Sequence, residues 1–447
     1  MVPLNAPHED DPVPSAASQG GAPIPGDRLD ALRLAGDEPA DAAVAALVAG
    51  AAPDEVRARL RALVSDLRGL HAVPEVRAWV DEVVPRPTWV DGRLVRDGQG
   101  VFNRWSLDIV TALFCASLPF AYAAAQGVEV LEQVSQLAEH GTVARRIAET
   151  GQMLVDISRP GGLDDTGVGY RVLRMVRLLH GAIRATLLAP GAVPGVGPAW
   201  DVAHLGVPVN QEDLLGTLLS FTTVVFRALD RMGIALTPAQ RGAYLQLWGL
   251  VGHLLGITTA GDILDDARAE ELTDAIAHRL QAPSAAGRHL MGILMSEMEL
   301  SMPWGLGKLP RTLVRYLLGA DVSDMLGVAP RAPWWPVLGA LALANRAVGG
   351  LPGGTRVLQA PSRMVGRAMI RLWIDRTIVG ATTTPLRLDP ALLRAWGVGS
   401  APTQHTLGLR GRLRRRRAQA RRRRLVARGA PVAAEAAPTA GAPPDGR

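Results

Sequence analysis

The sequence RVLRMVRLLHGAIRATLLA, Arg171 to Ala189, carries its apolar residues at helical spacing. Leu173, Val176, His180, Ile183 and Leu187 fall on one stripe, which predicts a single long helix. A histidine stands at the centre of that stripe. Arg177 lies one turn before it and Arg184 one turn after it, on nearly the same side. Gly181 is expected to remove side-chain bulk beside the imidazole. Two readings follow from these residues. In one, His180 is a core histidine bonded to a neighbour, as half-buried histidines often are. In the other, it ligates a haem iron, with apolar residues covering the macrocycle and Arg177 and Arg184 reaching the propionates.

The rest of the chain suits a helical setting. Its 447 residues are enough for a sizeable core. Apolar residues make up 48% but aromatics only 4%, so Leu, Val and Ala must do most of the packing, which favours helices over sheets. The single cysteine, Cys115, excludes an intrachain disulfide and any thiolate cluster, so iron–sulfur and Cys-rich zinc sites drop out. A reducing compartment fits that usage. Residues 410–428 hold eleven arginines and no acid, while the whole chain is only +6. The high isoelectric point therefore belongs to a tail, and the body is mildly acidic. Lys308 is the one lysine, so arginine counts alone carry little functional weight.

Three regions are expected: a disordered N-terminus over residues 1–26, a helical domain over 27–400 and an Arg-rich disordered tail over 401–447. The N-terminus has no basic region followed by an apolar core and no twin arginine. It predicts no signal peptide and a cytoplasmic protein. Asp27 to Leu67 reads as two short helices broken near Ala51-Ala52-Pro53. Val110–Val128 and Ala243–Gly261 are uncharged and near the lower length limit for a membrane span. Pro119, His253 and several glycines interrupt them, and they are expected as buried core helices. Thr142 can cap a helix with Arg146, Thr150, Met153 and Ile157 on one face and Arg145 and Glu149 four apart. The glycines of Pro160-Gly161-Gly162 and Gly167-Val168-Gly169 follow no strand, so they do not make a dinucleotide fingerprint. Asn210 can cap another helix, with Glu212 and Asp213 complementing its dipole.

Several ordered motifs carry a resemblance to a known family. Arg146-x-x-Glu149-Thr150, then Asp156-Ile157, the Pro-Gly-Gly loop, and Val176-Arg177-Leu178-Leu179-His180-Gly181-Ala182-Ile183-Arg184 resemble the latex clearing protein (rubber oxygenase) family. So do Pro208-Val209-Asn210-Gln211-Glu212-Asp213-Leu214-Leu215-Gly216-Thr217 and Trp248-Gly249-Leu250-Val251-Gly252-His253-Leu254-Leu255-Gly256. The wider family includes the fungal membrane-bound oxygenase of mycophenolic acid biosynthesis. The resemblance spans roughly residues 100–375. It implies an all-α fold, one large helical domain around a buried haem b, with His180 as axial ligand to the iron. It also implies an arginine and a threonine near the haem at Arg146 and Thr150. In rubber oxygenases a lysine precedes that threonine and can take the other axial position; here that residue is Glu149. The family's acidic base falls near Val130, with Glu129 adjacent. The expected activity is a haem-dependent oxygenase acting with dioxygen on an apolar, isoprenoid or otherwise unsaturated substrate.

Alternatives remain at this point. Asp262, Asp265 and Asp266 could bind magnesium in a helical prenyltransferase or terpene-type enzyme, although no second acidic motif accompanies them and a helix N-terminus explains them equally. The arginine run could make a non-catalytic helical protein that meets anionic membrane or nucleic acid without sequence specificity, or it could be a solvated tail. Met291, Met295, Met298 and Met302 form a stripe that either fills core or lines an adaptable apolar pocket. His140, His204 and His253 are secondary ligand candidates. Ala360–Val379 reads as a last long helix with Arg363, Arg367 and Arg371 on one face.

Overall fold

Helices make up the regular structure among the described residues, apart from one isolated antiparallel bridge between Ala124 and Gln281. In this computed structural model the described residues are 26–51, 74–137, 142–189, 200–301, 307–329 and 334–351, with a few positions between 55 and 59 and between 353 and 357. The first 25 residues, the predicted helix Ala360–Val379 and the whole Arg-rich tail lie outside them. The chain divides into two units, Met1–Leu392 and Leu393–Arg447, and every described residue belongs to the first.

The order begins with α1 (Gly26–Arg33), α2 (Glu38–Val48), α3 (Pro74–Asp81) and α4 (Gly92–Arg104). A broken segment follows: α5 (Ser106–Ala112), a π turn over Leu113–Ser117 and α6 (Leu118–Tyr122). Then come α7 (Val128–Leu137), α8 (Thr142–Ser158), α9 (Val168–Leu188), α10 (Val202–Leu205), α11 (Gln211–Ser220), α12 (Thr223–Arg231) and α13 (Pro238–Leu254). After a 3-10 turn at Ala260–Leu264 the order continues with α14 (Asp266–Leu280), α15 (Ala285–Ser301), α16 (Leu309–Leu318), α17 (Ala320–Met325) and α18 (Trp335–Gly349).

The core is built on α13. Thr237 and Gln240 close a capping box at its start and Pro238 presets its first turn. Every residue from Ala243 to Leu254 except His253 is buried. Helix α4 lies across it, and Gly98 permits the approach: a Cβ there would stand 2.3 Å from the Ala243 carbonyl oxygen. Phe221 stacks on Trp248 with ring centroids 4.6 Å apart, and Trp105 and Tyr244 are also fully enclosed. Burying such rings contributes about 2–3 kcal/mol each.

Both uncharged segments thus serve as core. Val110–Val128 becomes α5, the π turn and α6, where Pro119 sits in the first turn and breaks nothing. Ser117 Oγ donates to Ser220 Oγ at 3.0 Å inside this core. Ala243–Gly261 ends as helix at Leu254, because Gly256 turns the chain with φ +84°. No single helix among the described residues is long and apolar enough to cross a membrane. The break expected near Pro53 is preceded by another at Leu34–Asp37, which divides α1 from α2. Thr142 is itself the first helical residue of α8. Met291 and Met295 fill core and Met298 packs at its edge; Met302 lies outside the described residues.

Candidate functional site

Helix α9 runs three residues further at its start than its periodicity predicts, from Val168 to Leu188. The glycine loop before it is a packing device. A Cβ at Gly162 would stand 2.1 Å from the Asp156 carbonyl oxygen, and one at Gly167 would stand 2.4 Å from that of Gly162. Tyr170 N donates to Gly162 O at 2.9 Å and closes the loop onto the helix.

Three of the helix's four arginines are buried, and each is latched to another part of the chain. Arg174 donates to Trp79 O at 2.8 Å and to Glu82 at 2.7 Å, with its guanidinium 3.9 Å from the centroid of the Trp79 ring. Arg177 binds Asp37 in a bidentate pair, Nε to Oδ2 at 2.6 Å and Nη2 to Oδ1 at 2.8 Å. Arg184 donates to Asp41 at 2.8 Å and to Val209 O at 3.0 Å. The guanidiniums expected to reach haem propionates are therefore engaged by carboxylates of α2 and its cap. Gly181 also serves differently from expectation. A Cβ there would stand 3.0 Å from Ala40 O, so the glycine admits α2 and does not simply relieve crowding at the imidazole.

The family-like motifs converge behind these latches. Gly256 lies against the Arg177–Asp37 pair, where a Cβ would stand 2.2 Å from Asp37 Oδ2 and 2.6 Å from Arg177 Nε. Gln211 Nε2 donates to Gly36 O at 2.8 Å and to Gly256 O at 3.0 Å, joining the loop before α2 to the end of α13. Asn210 caps α11 as expected, its side chain accepting from Asp213 N at 2.9 Å. Glu212 is fully buried between Arg33 at 3.2 Å and Arg279 at 2.9 Å, a heavier role than complementing a dipole. Asp213 accepts from Asn210 Nδ2 at 2.8 Å and Arg33 at 3.3 Å, and burial pushes its carboxyl up to about 6. Val209, with φ +51°, is the one non-glycine residue in the left-handed region among those described, and its carbonyl is the one Arg184 holds.

His180 stands between the second and third latches. It is half-buried, with Nδ1 sealed from solvent. Val172, Val176 and Leu179 are half-buried too, so this side of α9 is incompletely covered while Leu173, Leu178, Ala182 and Ile183 are sealed. Helix α8 packs against α9, and its Glu149, Thr150 and Met153 are likewise half-buried. The side chains of Arg145 and Arg146 lie outside the described residues, as does His140. Buried Asp156 pairs with Arg159 at 3.1 Å at the end of α8. Glu129, at the start of α7, is half-buried; burial and then the charge of Glu132 raise its carboxyl above the usual range. Val130 beside it is buried and apolar.

The donor set bears on what His180 could hold. No group of three His, Cys, Asp or Glu residues able to chelate a metal occurs among the described residues. One half-buried imidazole on an apolar stripe cannot retain a free metal ion by itself. It suits an iron whose four equatorial ligands arrive with a macrocycle. His253 is engaged elsewhere, its Nε2 3.2 Å from Pro85 O and its ring edge-on to Trp89, with burial lowering its pKa. His204 is exposed. The magnesium alternative loses its ligands: Asp262 pairs with Arg28, Asp265 caps α14 through Arg268 N at 2.8 Å, and Asp266 pairs with Arg241 at 3.3 Å.

Sequence reasoning did not find Asp37, Asp41, Arg33, Gln211 or Arg279 as the frame of this site. A buried arginine on an apolar stripe does announce that an acid must face it. That acid lies 140 residues away in sequence for Arg177, beyond any local pattern.

Comparison with known proteins identifies the family and supports the fold. Residues 103–348 match the family described as "ER-bound oxygenase mpaB/B'/Rubber oxygenase, catalytic domain". The chain is 28% identical over 210 residues to the rubber oxygenase of Streptomyces sp. (strain K30), an alignment that covers 43% of this chain and 48% of that protein. The chain thus spans about half the length of that curated relative. Its fold is similar to the latex clearing protein in the closed state, with a TM-score of 0.56 and 21% identity over 76% of this chain and 90% of that one.

Proposed function

The chain belongs to the mpaB/rubber oxygenase catalytic-domain family, and we propose that it is a haem b-dependent oxygenase using dioxygen on an apolar, isoprenoid-like substrate. The observation that carries this reading is the placement of His180. It lies on the incompletely covered side of a helix whose rotation is fixed by a buried ion pair one turn before it and, one turn after it, by a buried arginine held by a partly exposed carboxylate. His180 would hold the iron through its imidazole. Haem, when bound, supplies the centre at which dioxygen is activated toward a carbon–carbon double bond.

The chain's own residues do the rest. Arg177 and Arg184 fix the imidazole by holding α9 against α2; as placed, they position the ligand and are not available to propionates. Val172, Val176 and Leu179 would exclude water and accept an apolar molecule. Thr150 and Glu149, with Arg146 on the same helix, would set the polarity of the pocket by hydrogen bonding. Glu129, whose charged form is disfavoured by burial and then by the charge of Glu132, would be the residue to hold or move a proton.

Oxygen uptake tests the activity. The haem-loaded protein, given an unsaturated isoprenoid oligomer, should consume dioxygen and release carbonyl-ended fragments. His180→Ala should reduce both to background. Uptake without carbonyl products would leave an oxidase and contradict the cleavage reading.

A further inference from the structure

Among the described residues, helix α18 is packed on one side only. Its inner side is fixed: Trp335 meets Tyr316 edge-on at 5.1 Å, Asn345 donates to Met232 O at 2.9 Å, and Gly233 sits so tightly under Ala342 that a Cβ would stand 2.0 Å from its carbonyl oxygen. The outer side carries Val337, Leu341 and Leu343 at 54%, 56% and 66% exposure, and Leu351 follows at 61%. Arg346 is the helix's one charge. A helix that is apolar all round ordinarily lies in a core or against lipid, and this one is only half covered.

Charge along the chain is segregated about this helix. Residues 335–447 hold 20 arginines against 4 acids, a net +16, so with +6 overall the remaining chain carries −10. An apolar helix face followed by a strongly basic sequence combines the two features that hold a protein at an anionic bilayer. Nucleic acid would answer the charge but leave the apolar face bare. A second copy would bring +16 against +16.

We propose that the outer face of α18 docks the protein on an anionic lipid surface, its apolar residues entering the headgroup boundary and the arginines that follow in sequence supplying the electrostatic attraction. Neither signal holds a protein at a bilayer firmly by itself, and together they do so reversibly. This docking does not depend on the reading of His180, because vesicle binding needs no cofactor.

Co-sedimentation of the full chain with vesicles tests it. Binding is expected to phosphatidylserine-rich vesicles, to be absent from pure phosphatidylcholine, and to weaken as salt is raised. The double variant V337E/L341E should bind the anionic vesicles roughly ten-fold or more weakly. Both positions are exposed, so its circular dichroism should match the parent; L341S/L343S repeats the test if it does not. Equal binding by parent and variants would overturn the proposal, because the charge alone would then suffice. Failure to bind anionic vesicles would also overturn it, as would a dimer in solution that the variants dissolve.

Discussion

Helices α9 and α13 both run through the middle of the molecule, and they are held by different forces. Helix α13 is enclosed by apolar side chains from Ala243 to Leu254 and would be recognised as core from its composition alone. Helix α9 is nearly as enclosed, but Arg174, Arg177 and Arg184 lie in its buried surface, each needing an acceptor supplied by α2, α3 or a loop. Apolar packing has no direction and tolerates rotation of a helix. Bidentate ion pairs do not, and a ligand one turn from such a pair is held in register. The lesson is that the helix carrying His180 is clamped rather than merely packed.

Removing a clamp and removing packing should differ in how they can be rescued. Trp248→Ala should cost about 3–5 kcal/mol in denaturant unfolding, because it leaves a cavity that its neighbours cannot fill. Asp37→Ala should cost a similar 3–5 kcal/mol, but by leaving the Arg177 charge buried without its partner. Adding Arg177→Met to Asp37→Ala should then recover most of that loss while leaving α9 free to shift. A double variant as unstable as the single one would mean that α2 and α9 are held by packing after all.

Gly256→Ala should come next, at roughly 1–3 kcal/mol. The φ of +84° and the Cβ position 2.2 Å from Asp37 Oδ2 both oppose a side chain, and the damage should fall on the Arg177–Asp37 pair. No comparable penalty is expected at Gly242, where a Cβ meets nothing within 4 Å.

The pH response probes a third helix, α11, whose first turn is tied to Arg33 by carboxylates. Asp213 binds its proton more tightly in the folded chain, near pH 6, than in the unfolded chain. Its contribution therefore favours the fold fully below about pH 4, the unfolded value, and declines as pH rises to the folded value. Asp213→Asn should flatten that decline, on the order of 2–3 kcal/mol between pH 4 and 7, when melting curves of parent and variant are subtracted. A difference curve that rises with pH would reverse the assignment. The smallest effect is expected at the half-exposed pair of Arg227 and Asp274, where Asp274→Asn should change stability by no more than about 1 kcal/mol.

The contrast also explains what the sequence could tell. Period-3.6 spacing located α9, and uncharged apolar runs located α13 and the buried segment around Cys115, because apolar burial is written locally. Asn210 as a cap was legible for the same reason. The destination of Arg177 was not, because its carboxylate comes from Asp37 in a loop ahead of the family-matching residues 103–348. The arginines around His180 invited a ligand-binding reading, and the structure assigns them to the frame. Gly181 reads locally as space beside the imidazole, and the fold uses it to admit α2. A local pattern identifies which side chain needs a partner, while the fold alone supplies which partner it gets.

Titration of the purified protein with haemin, followed by absorption spectroscopy, tests the central claim most directly. The account predicts a Soret band that saturates at one haem per chain, is lost or strongly weakened in His180→Ala, and is retained with altered position or width in Asp37→Asn. A band unchanged in His180→Ala, or no band in the parent protein, would contradict it.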